Sequence, residues 1–578
     1  MAGLFLVRTG DRDFADAALA EARTQYARHG FGTPSAVALP GWELLHWPYA
    51  IGGPECLLTE GEDCVAVAGT ITVDGLMGRP ALERLRTMAL PALDWSRIGG
   101  QFVALVRSAG RTFLFTDYFA AFQLFYDAGH RLFSTSLLAA AKALPRVSFD
   151  AQGVYELAFN VMPIGDDTVF AELKTLGPGT ILELTERGTV AHSAAKPLPG
   201  IAPMPIGERL ERHRARLEAI VGAHVRQFGN GVHCPLSGGL DSRLLLGTLR
   251  AAGSAPDIYV YGPPGDADVA IARAIGAAEG FHVEWINKAA ESLAPDAFAE
   301  QVERNFHAFD GLPTYGNIFD NGGNHAAQRA RHAGGGLAAS GGCGEIYRNF
   351  FYLPDRPIGA AAVARTFYAR FAREDATERF DEAEFLHRIA GKIADAAGVP
   401  DDRLPRGLVE HIYPRVRCRA LFGREISLEA RLSPYLMPFL DHQVVAEAMT
   451  LPLALKHAGR FEALLLGAID PALARYMSAY GHDFVGPPSL RHRFDEWSSR
   501  IRPIWLRQRS YAIQRRLRPL SDEHGGLLDA DYMGRVIDPA FPAMRRYFRM
   551  DRITDSGLWR RIANLEYLAQ HLGSRLAG

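Results

Sequence analysis

The chain has 578 residues, a length that at roughly 150 residues per domain predicts two to four domains. Hydrophobic residues make up 48% and charged residues 22% of the sequence, a globular balance that excludes disordered, collagen-like and coiled-coil chains. Because 63 Lys and Arg stand against 65 Asp and Glu, the net charge attracts neither nucleic acid nor an acidic membrane surface.

Targeting and redox signals are few. The first ten residues, MAGLFLVRTG, already contain charged and polar residues, which leaves too short an apolar region for a signal peptide. No run of about 18 apolar residues predicts a membrane span. The cysteines are odd in number, scattered and without a C-x-x-C pair: Cys56, Cys64, Cys234, Cys343 and Cys418. This pattern argues against a zinc ribbon or a disulfide framework, so we expect a cytoplasmic protein without nucleic-acid or membrane partners.

The first part of the chain has the pattern of short strands. Residues 64–75, 100–118 and 131–136 carry apolar runs, and glycine-containing turns predict hairpins within 100–118 and 179–194. Such hairpins favour an antiparallel β-sandwich. Four prolines between residues 195 and 206 predict a linker, so we place the first domain at 1–195.

After residue 206 the sequence pattern changes from short strands alone to strands that alternate with helices. Four short apolar strands alternate with helical patterns, at 231–236, 257–262, 281–286 and 335–340. Strand–helix–strand alternation predicts an α/β domain with a parallel, doubly wound sheet, which we place at 207–578. Beyond about residue 350 the patterns are mostly helical.

The sharpest motif directly follows the first of these strands and reads P-L-S-G-G-L-D-S-R over residues 235–243. Gly238 and Gly239 let the backbone approach a ligand closely, and Ser237 and Ser242 supply hydroxyl donors. The N-terminus of the following helix adds free N–H groups and a partial positive charge. The loop is not a Walker A motif, because no Gly-Lys-Ser/Thr follows. We interpret it as an anion cradle; an ordinary glycine-rich turn is the alternative.

S-G-G-L-D-S resembles the pyrophosphate loop of the ATP pyrophosphatase superfamily, and within it the chain resembles the asparagine synthetase B family over most of its length. In the first half, the family's order G-x-F-A, R-D, P-L-Y-Y and F-A-S-E is similar to segments at 99–105, 115–118, 123–126 and 132–136. In the second half, the similar segments are 268–273, 337–345, 429–431 and 438–442.

The resemblance implies a glutaminase-like (Ntn) domain followed by an ATP-binding synthetase domain. The implied reaction is ATP-dependent amide formation through an acyl-adenylate, with release of AMP and pyrophosphate and with ATP and Mg²⁺ as cofactors. The implied nucleotide-binding residues are Leu236, Ser237, Gly238, Gly239, Asp241, Ser242, Tyr261, Ser340 and Gly341. Aligning on Ser340-Gly341 implies that Glu345 carries magnesium, and Asp241 is the second acidic candidate, since Mg²⁺ prefers oxygen ligands beside phosphate.

Cations are needed around a departing pyrophosphate. Arg243 and Arg348 lie next to the two loops in sequence and are our catalytic candidates, with surface salt bridges as the alternative. The family's catalytic lysine has no counterpart in residues 475–484. His482, or Tyr480, is the candidate for a proton role there, and packing or a surface turn is the alternative.

The glutaminase half departs from the family at its reactive positions. Ala2 stands where the resemblance implies a nucleophilic cysteine, and Ala68-Gly69-Thr70 stands in place of the N-G-E strand that grips glutamine. An alanine is not a nucleophile. We therefore expect no glutamine hydrolysis and a domain that serves as scaffold.

Without that ammonia source, the amine must already be on the substrate or be free ammonia. We predict a natural-product or lasso-peptide macrolactam cyclase, similar to the lasso-peptide cyclases and β-lactam synthetases of the family. The alternatives are an asparagine synthase using free ammonia and a non-catalytic nucleotide-binding protein. The implied partners are a small-molecule or peptide carboxylate and, for a cyclase, a precursor peptide and its leader protease.

Two further segments are candidates for substrate contact. Asp310, Tyr315 and Asn317 are polar groups among glycines, as the rim of a substrate pocket requires; an ordered loop is the alternative. Residues 501–520 form a basic, helical pattern that is suited to an acidic peptide or partner protein, although a solvated helix face is the more common outcome.

Overall fold

The computed structural model describes residues 3–289, 293–314, 318–399, 403–507, 513 and 530–577. Ala2, Tyr315, Asn317 and most of 508–529, on which some predictions fall, lie outside these residues. The helices are α1 Arg12–Arg28, α2 Arg79–Arg86, α3 Leu137–Ala143, α4 Ala151–Asn160, α5 Ile206–Phe228, α6 Leu240–Ala251, α7 Ala267–Glu279, α8 Pro295–Ala308, α9 Gly323–Ala330, α10 Ala360–Phe367, α11 Glu382–Ala397, α12 Arg406–Ile412, α13 Gly423–Glu429, α14 His442–Met449, α15 Leu453–Lys456, α16 Arg460–Ile469, α17 Pro471–Ala474, α18 Leu490–Ile501, α19 Ala530–Met533 and α20 Ser556–Leu572.

The strands are β1 Gly3–Arg8, β2 Ser35–Leu39, β3 Trp42–Trp47, β4 Leu57–Glu60, β5 Asp63–Val73, β6 Ile98–Ser108, β7 Arg111–Thr116, β8 Phe125–Asp127, β9 Leu132–Ser134, β10 Leu173–Thr175, β11 Thr180–Thr185, β12 Gly188–Ser193, β13 Val232–Pro235, β14 Asp257–Tyr261, β15 Val283–Ile286, β16 Leu337–Ala339, β17 Ile358–Gly359, β18 Arg403–Leu404 and β19 Tyr435–Leu436. A π-helix at Tyr413–Phe422 connects α12 to α13.

Two six-stranded antiparallel sheets occupy the first part of the chain, in the orders β10-β8-β9-β1-β3-β2 and β12-β11-β7-β6-β5-β4. One face of β5 and β6 packs with the first sheet, and the other face packs with the apolar side of α2. Helices α1 and α3 pack on the first sheet. Burial on both faces explains why β5 and β6 are continuous apolar runs in the sequence. The predicted antiparallel sheets are confirmed.

A five-stranded parallel sheet follows, in the order β15-β14-β13-β16-β19. The first four strands in the sequence are those predicted from apolar runs, whereas the fifth, Tyr435–Leu436, was not predicted. The order reverses at β13, which pairs with β14 on one side and β16 on the other. The crevice beyond the carboxyl ends of such strands is where open α/β sheets bind ligands.

Direct hydrogen bonds connect the antiparallel sheets to the second part of the chain. Oγ1 of Thr70, on β5, accepts from the N–H of Tyr435 at 2.9 Å. The N–H of Gly100 donates to Oδ2 of Asp441 at 3.1 Å. Thr70, which the resemblance aligned with a glutamine-gripping carboxylate, therefore bonds the neighbouring parallel sheet.

Asp310 is a second link between the two parts. Its carboxylate accepts from the N–H of Leu137, at 2.8 Å, and pairs with Arg431, at 2.8 Å, and Arg424, at 3.3 Å. The side chain is 0% exposed. The prediction that Asp310 lies on the rim of a substrate pocket is wrong, because this buried carboxylate anchors α3 to the helical part.

All five cysteines are buried free thiols. Among the residues that the structure describes, no helix is both long enough and apolar enough to cross a membrane.

Candidate functional site

The loop between β13 and α6 folds around its own hydroxyl groups. Oγ of Ser242 accepts from the N–H of Ser237 at 3.0 Å and lies 2.9 Å from Oγ of Ser237. The N–H of Gly239 donates to Oγ of Ser237 at 3.2 Å. Leu236 is buried, and its N–H bonds the carbonyl of Tyr259 at 2.9 Å, so it extends the sheet. The turn is therefore already ordered, with the N-terminus of α6 behind it.

A carboxylate occupies one of the loop's donors. The N–H of Gly238 donates to Oδ1 of Asp268 at 2.9 Å, and a Cβ at position 238 would lie 2.8 Å from the same oxygen. Glycine is thus required here by the contact with α7. An anion binding at this N–H would displace Asp268.

Asp241 meets the second predicted loop directly. Nη2 of Arg348 donates to Oδ1 of Asp241 at 2.6 Å. A Cβ at Gly344 would lie 2.1 Å from that oxygen, and one at Gly341 would lie 3.0 Å from the N–H nitrogen of Ser242. The structure therefore brings the loop after β13 and the loop after β16 together, and both glycines permit this approach.

Glu462, on α16, completes the cluster and was not found from the sequence. Nε of Arg348 donates to Oε2 of Glu462 at 2.9 Å, and the Glu462 side chain is 0% exposed. Its other oxygen, Oε1, is buried without a hydrogen-bond partner. The only signal in the sequence is a carboxylate inside an apolar helix, F-E-A-L-L-L.

Burial raises the pKa of Glu462, and the nearby carboxylate of Asp241 raises it further. The ion pair with Arg348 acts in the opposite direction and lowers the pKa. Burial opposes the charge of Arg348, but Asp241 and Glu462 hold the pKa of its guanidinium above the ordinary value. Two carboxyl groups thus share one guanidinium group. That arrangement leaves the cluster with an excess of carboxylate oxygens.

Glu345 lies beside this cluster. It lines a cavity of about 440 Å³ together with Arg348, Tyr480 and His482, and its Oε2 accepts from the hydroxyl of Tyr413 at 2.6 Å. The unpartnered Oε1 of Glu462 is an oxygen donor of the kind that a hard divalent cation prefers, but among the described residues Asp241, Glu345 and Glu462 do not form one group of converging ligand atoms. The assignment of Asp241 and Glu345 to Mg²⁺ stays a prediction.

The remaining cavity wall contains the groups considered for the missing lysine. Nδ1 of His482 lies 3.3 Å from the carbonyl of Tyr480, and both residues line the cavity beside the loop. Burial raises the pKa of Tyr480. Lys456 also lines the cavity, but its ammonium group pairs with Glu410 at 2.8 Å.

Arg243 is buried behind the loop, where its Nη2 also lies 3.5 Å from the carbonyl oxygen of Gly238. Its guanidinium donates to the carbonyls of Tyr476, at 2.7 Å, and Met477, at 2.6 Å, and the residue is 0% exposed. Burial lowers its pKa to about 10. The prediction that Arg243 neutralises pyrophosphate is wrong, because the helix directs this side chain into the segment after α17.

Tyr261 and Ser340 are at the carboxyl ends of β14 and β16. The ammonium of Lys288 lies 3.9 Å from the centre of the Tyr261 ring and covers one of its faces. Oγ of Ser340 accepts from the N–H of Gly342 at 3.1 Å. Ser340 thus shapes the second loop, whereas a nucleotide base has at most one face of Tyr261 on which to stack.

No protein-family model matches the chain, and no curated protein matches it. Among solved structures, the chain is similar to the glutamine phosphoribosylpyrophosphate amidotransferase from B. subtilis complexed with ADP and GMP, with a TM-score of 0.24 and 12% identity over 50% of this chain and 66% of that one. It is also similar to a structure of the allosteric regulatory enzyme of purine biosynthesis, with a TM-score of 0.23 and 12% identity over 49% of this chain and 65% of that one. The chain thus spans slightly less than two thirds of each neighbour. Likenesses at this level assign no activity, and the resemblance to asparagine synthetases stays a prediction.

Proposed function

We propose that the protein is an ATP-dependent carbon–nitrogen ligase that adenylates a substrate carboxylate and then forms an amide bond. The observation that supports this proposal most is the convergence of Asp241, Arg348 and Glu462 at the switch point of the parallel sheet, beside the N-terminus of α6 and an open cavity. Phosphate-binding sites are built from such helix N-termini, and transfer of a nucleotidyl group depends on fixed cations around the leaving pyrophosphate.

In this proposal, each group has a limited task. The hydroxyls of Ser237 and Ser242 and the first N–H groups of α6 bind phosphate oxygens. Arg348 carries the positive charge at the departing pyrophosphate. Asp241 and Glu345 would hold Mg²⁺, which supplies further positive charge beside the phosphates. Phosphate entry frees the N–H of Gly238 from Asp268.

The amine in this proposal comes from the substrate itself or from free ammonia. Thr70, at the position of the missing carboxylate, is bonded to Tyr435, and neither Ala68 nor Gly69 offers a side chain that could grip glutamine. We therefore favour closure of a macrolactam, in which the enzyme holds an amine and an activated carboxyl group of one substrate together. Holding both in place can supply ~7–11 kcal/mol of the barrier.

Exchange of labelled pyrophosphate into ATP, with Mg²⁺ and a panel of peptide and small carboxylic acids, tests the proposal. We expect exchange that depends on an acid. ATP binding without exchange for any acid would overturn the ligase and favour a non-catalytic nucleotide-binding protein. Release of asparagine from aspartate and ammonia would instead identify an ammonia-dependent asparagine synthase, and we expect no release of glutamate from glutamine.

A further inference from the structure

A second, larger cavity lies against the candidate site. This groove has a volume of about 1030 Å³ and runs between residues 353–359 and residues 500–507. Its apolar wall includes the buried side chains of Leu353, Ile358 and Leu453. The volume is at the upper end of the ~300–1,000 Å³ that small-molecule sites occupy, so an extended ligand fits it better than a compact one.

The charge of the groove is strongly one-sided. Arg356, Arg403, Arg500 and Arg502 line it, and among the lining residues that the structure describes Asp355 is the one carboxylate. Within the described residues, none of these four arginines makes an ion pair. Guanidinium groups without a carboxylate partner, around an apolar wall, are suited to carboxylates, to which arginine can donate two parallel hydrogen bonds.

The groove and the candidate site share a wall. Tyr352 and Lys456 line the site cavity, while the adjacent Leu353 and His457 line the groove. Nδ1 of His457 lies 3.4 Å from Oε1 of Glu496, a residue of the site cavity. The His457–Glu496 pair therefore lies where the groove and the site cavity adjoin.

We propose that the groove binds an acidic, partly apolar peptide segment and positions the carboxyl group of the same peptide in the cavity beside Glu345 and Arg348. The inference rests on the proposed function for the site and specifies its substrate class. Carboxylates on the peptide pair with the four arginines, and its apolar side chains pack on Leu353, Ile358 and Leu453. Such pairs weaken as salt screens them.

Fluorescence anisotropy on the full chain tests the groove. The probe is a labelled twelve-residue peptide of alternating Glu and Leu, and its partner is the same peptide with Gln in place of Glu. We expect the acidic peptide to bind at least tenfold more tightly at low salt and to lose this advantage at high salt. Equal affinity for the two peptides would overturn the proposal.

Paired substitutions locate the binding. Arg356→Gln with Arg403→Gln, and separately Arg500→Gln with Arg502→Gln, should each weaken the acidic peptide at least tenfold. Arg12→Gln with Arg79→Gln removes the same charge from exposed positions in the first part of the chain and should change affinity less than twofold. Unchanged affinity in both groove variants would overturn the proposal, as would tighter arginine-dependent binding of anionic vesicles or single-stranded RNA than of the peptide.

The groove and the ligase are tested separately. Asp241→Asn should reduce pyrophosphate exchange at least a hundredfold and leave the affinity for the acidic peptide unchanged. Peptide binding that depends on the groove arginines, in a wild-type protein that shows no exchange with any acid, would support the groove and overturn the ligase. Exchange with small acids, but without groove-dependent peptide binding, would do the reverse.

Discussion

Arg348 donates from Nη2 to Oδ1 of Asp241 across 2.6 Å and thereby joins the loop after β16 to the loop after β13. The same guanidinium holds Glu462 through Nε. The two loops come from strands on either side of the sheet's switch point, so this pair fixes the width of the crevice between them.

Asp241→Asn should reduce pyrophosphate exchange at least a hundredfold. The amide keeps the shape of the side chain but removes a charge that pairs with Arg348 and would bind Mg²⁺. Exchange at saturating and limiting Mg²⁺ measures the effect. Asp257→Asn, at the opposite end of the sheet and with a 78% exposed side chain, is the matched control and should retain full exchange; equal losses in both variants would contradict a role for Asp241.

Arg348→Lys should lower exchange more than it lowers stability. Lysine keeps the charge, but its N–H donors all lie on one nitrogen, so it cannot reproduce the separate bonds that Nη2 of Arg348 makes to Asp241 and Nε makes to Glu462. We expect exchange to fall at least tenfold, while the urea midpoint shifts less than in Arg348→Ala. Removing the cation altogether leaves Glu462 buried without its pair, a loss of roughly 3–5 kcal/mol. Full exchange in Arg348→Lys would count against the proposed site.

Arg243→Met should act on stability. The guanidinium bonds of Arg243 to Tyr476 and Met477 are buried, and their loss leaves carbonyls without donors, at a cost of about 3 kcal/mol. Urea unfolding measures this. Arg250→Met, on the same helix with a 36% exposed side chain paired to Glu279, should cost less than about 1 kcal/mol. Similar small effects of both substitutions would show that Arg243 is dispensable for holding the segment after α17.

Acid should destabilise the protein through His46. Burial lowers the pKa of His46 to about 4, and its ring lies 3.1 Å from the carbonyl of Val67, across the two antiparallel sheets. Because the unfolded histidine takes up a proton near pH 6.5, the folded state loses free energy of unfolding as the pH falls from 6.5 to about 4, by up to about 3 kcal/mol.

The variant His46→Gln should keep the hydrogen bond to Val67. It should reduce the number of protons taken up on unfolding, which sets the slope of the free energy of unfolding against pH, by up to one. Urea unfolding at pH 7, 5.5 and 4.5 measures the slope. His282→Gln, at an exposed position, is the control and should leave the slope of the wild-type protein unchanged. A slope that is the same in His46→Gln as in wild type would refute the assignment.

The sequence indicated the sheets and the loop because their signals are local. Apolar runs and glycine turns identify strands such as β5, β6 and β13, and S-G-G-L-D-S follows β13 directly. The fifth parallel strand, Tyr435–Leu436, has two residues and therefore no periodicity to detect. Its position depends on pairing with β16 and on Thr70, far away in the sequence.

The directions of side chains, and their contacts with residues far away in the chain, could not be predicted from the sequence. Arg243 and Arg348 both stand next to a predicted loop, yet one points into the segment after α17 and the other into the cluster. Glu462 reaches Arg348 over 114 positions of the chain. Asp310 had the composition of a pocket rim, but ion pairs with Arg424 and Arg431, which are distant from it in the sequence, made burial of its carboxylate favourable.

The bond between Thr70 and Tyr435 and the pairing of Asp310 with Arg424 and Arg431 have a consequence for how such a chain can change during evolution. Deleting the first 190 residues would strip an acceptor from the amide of Tyr435 and would open to water the face on which Asp310 anchors α3. We expect an N-terminal part to be retained even if it has no reaction of its own, because the rest of the chain buries polar groups against it.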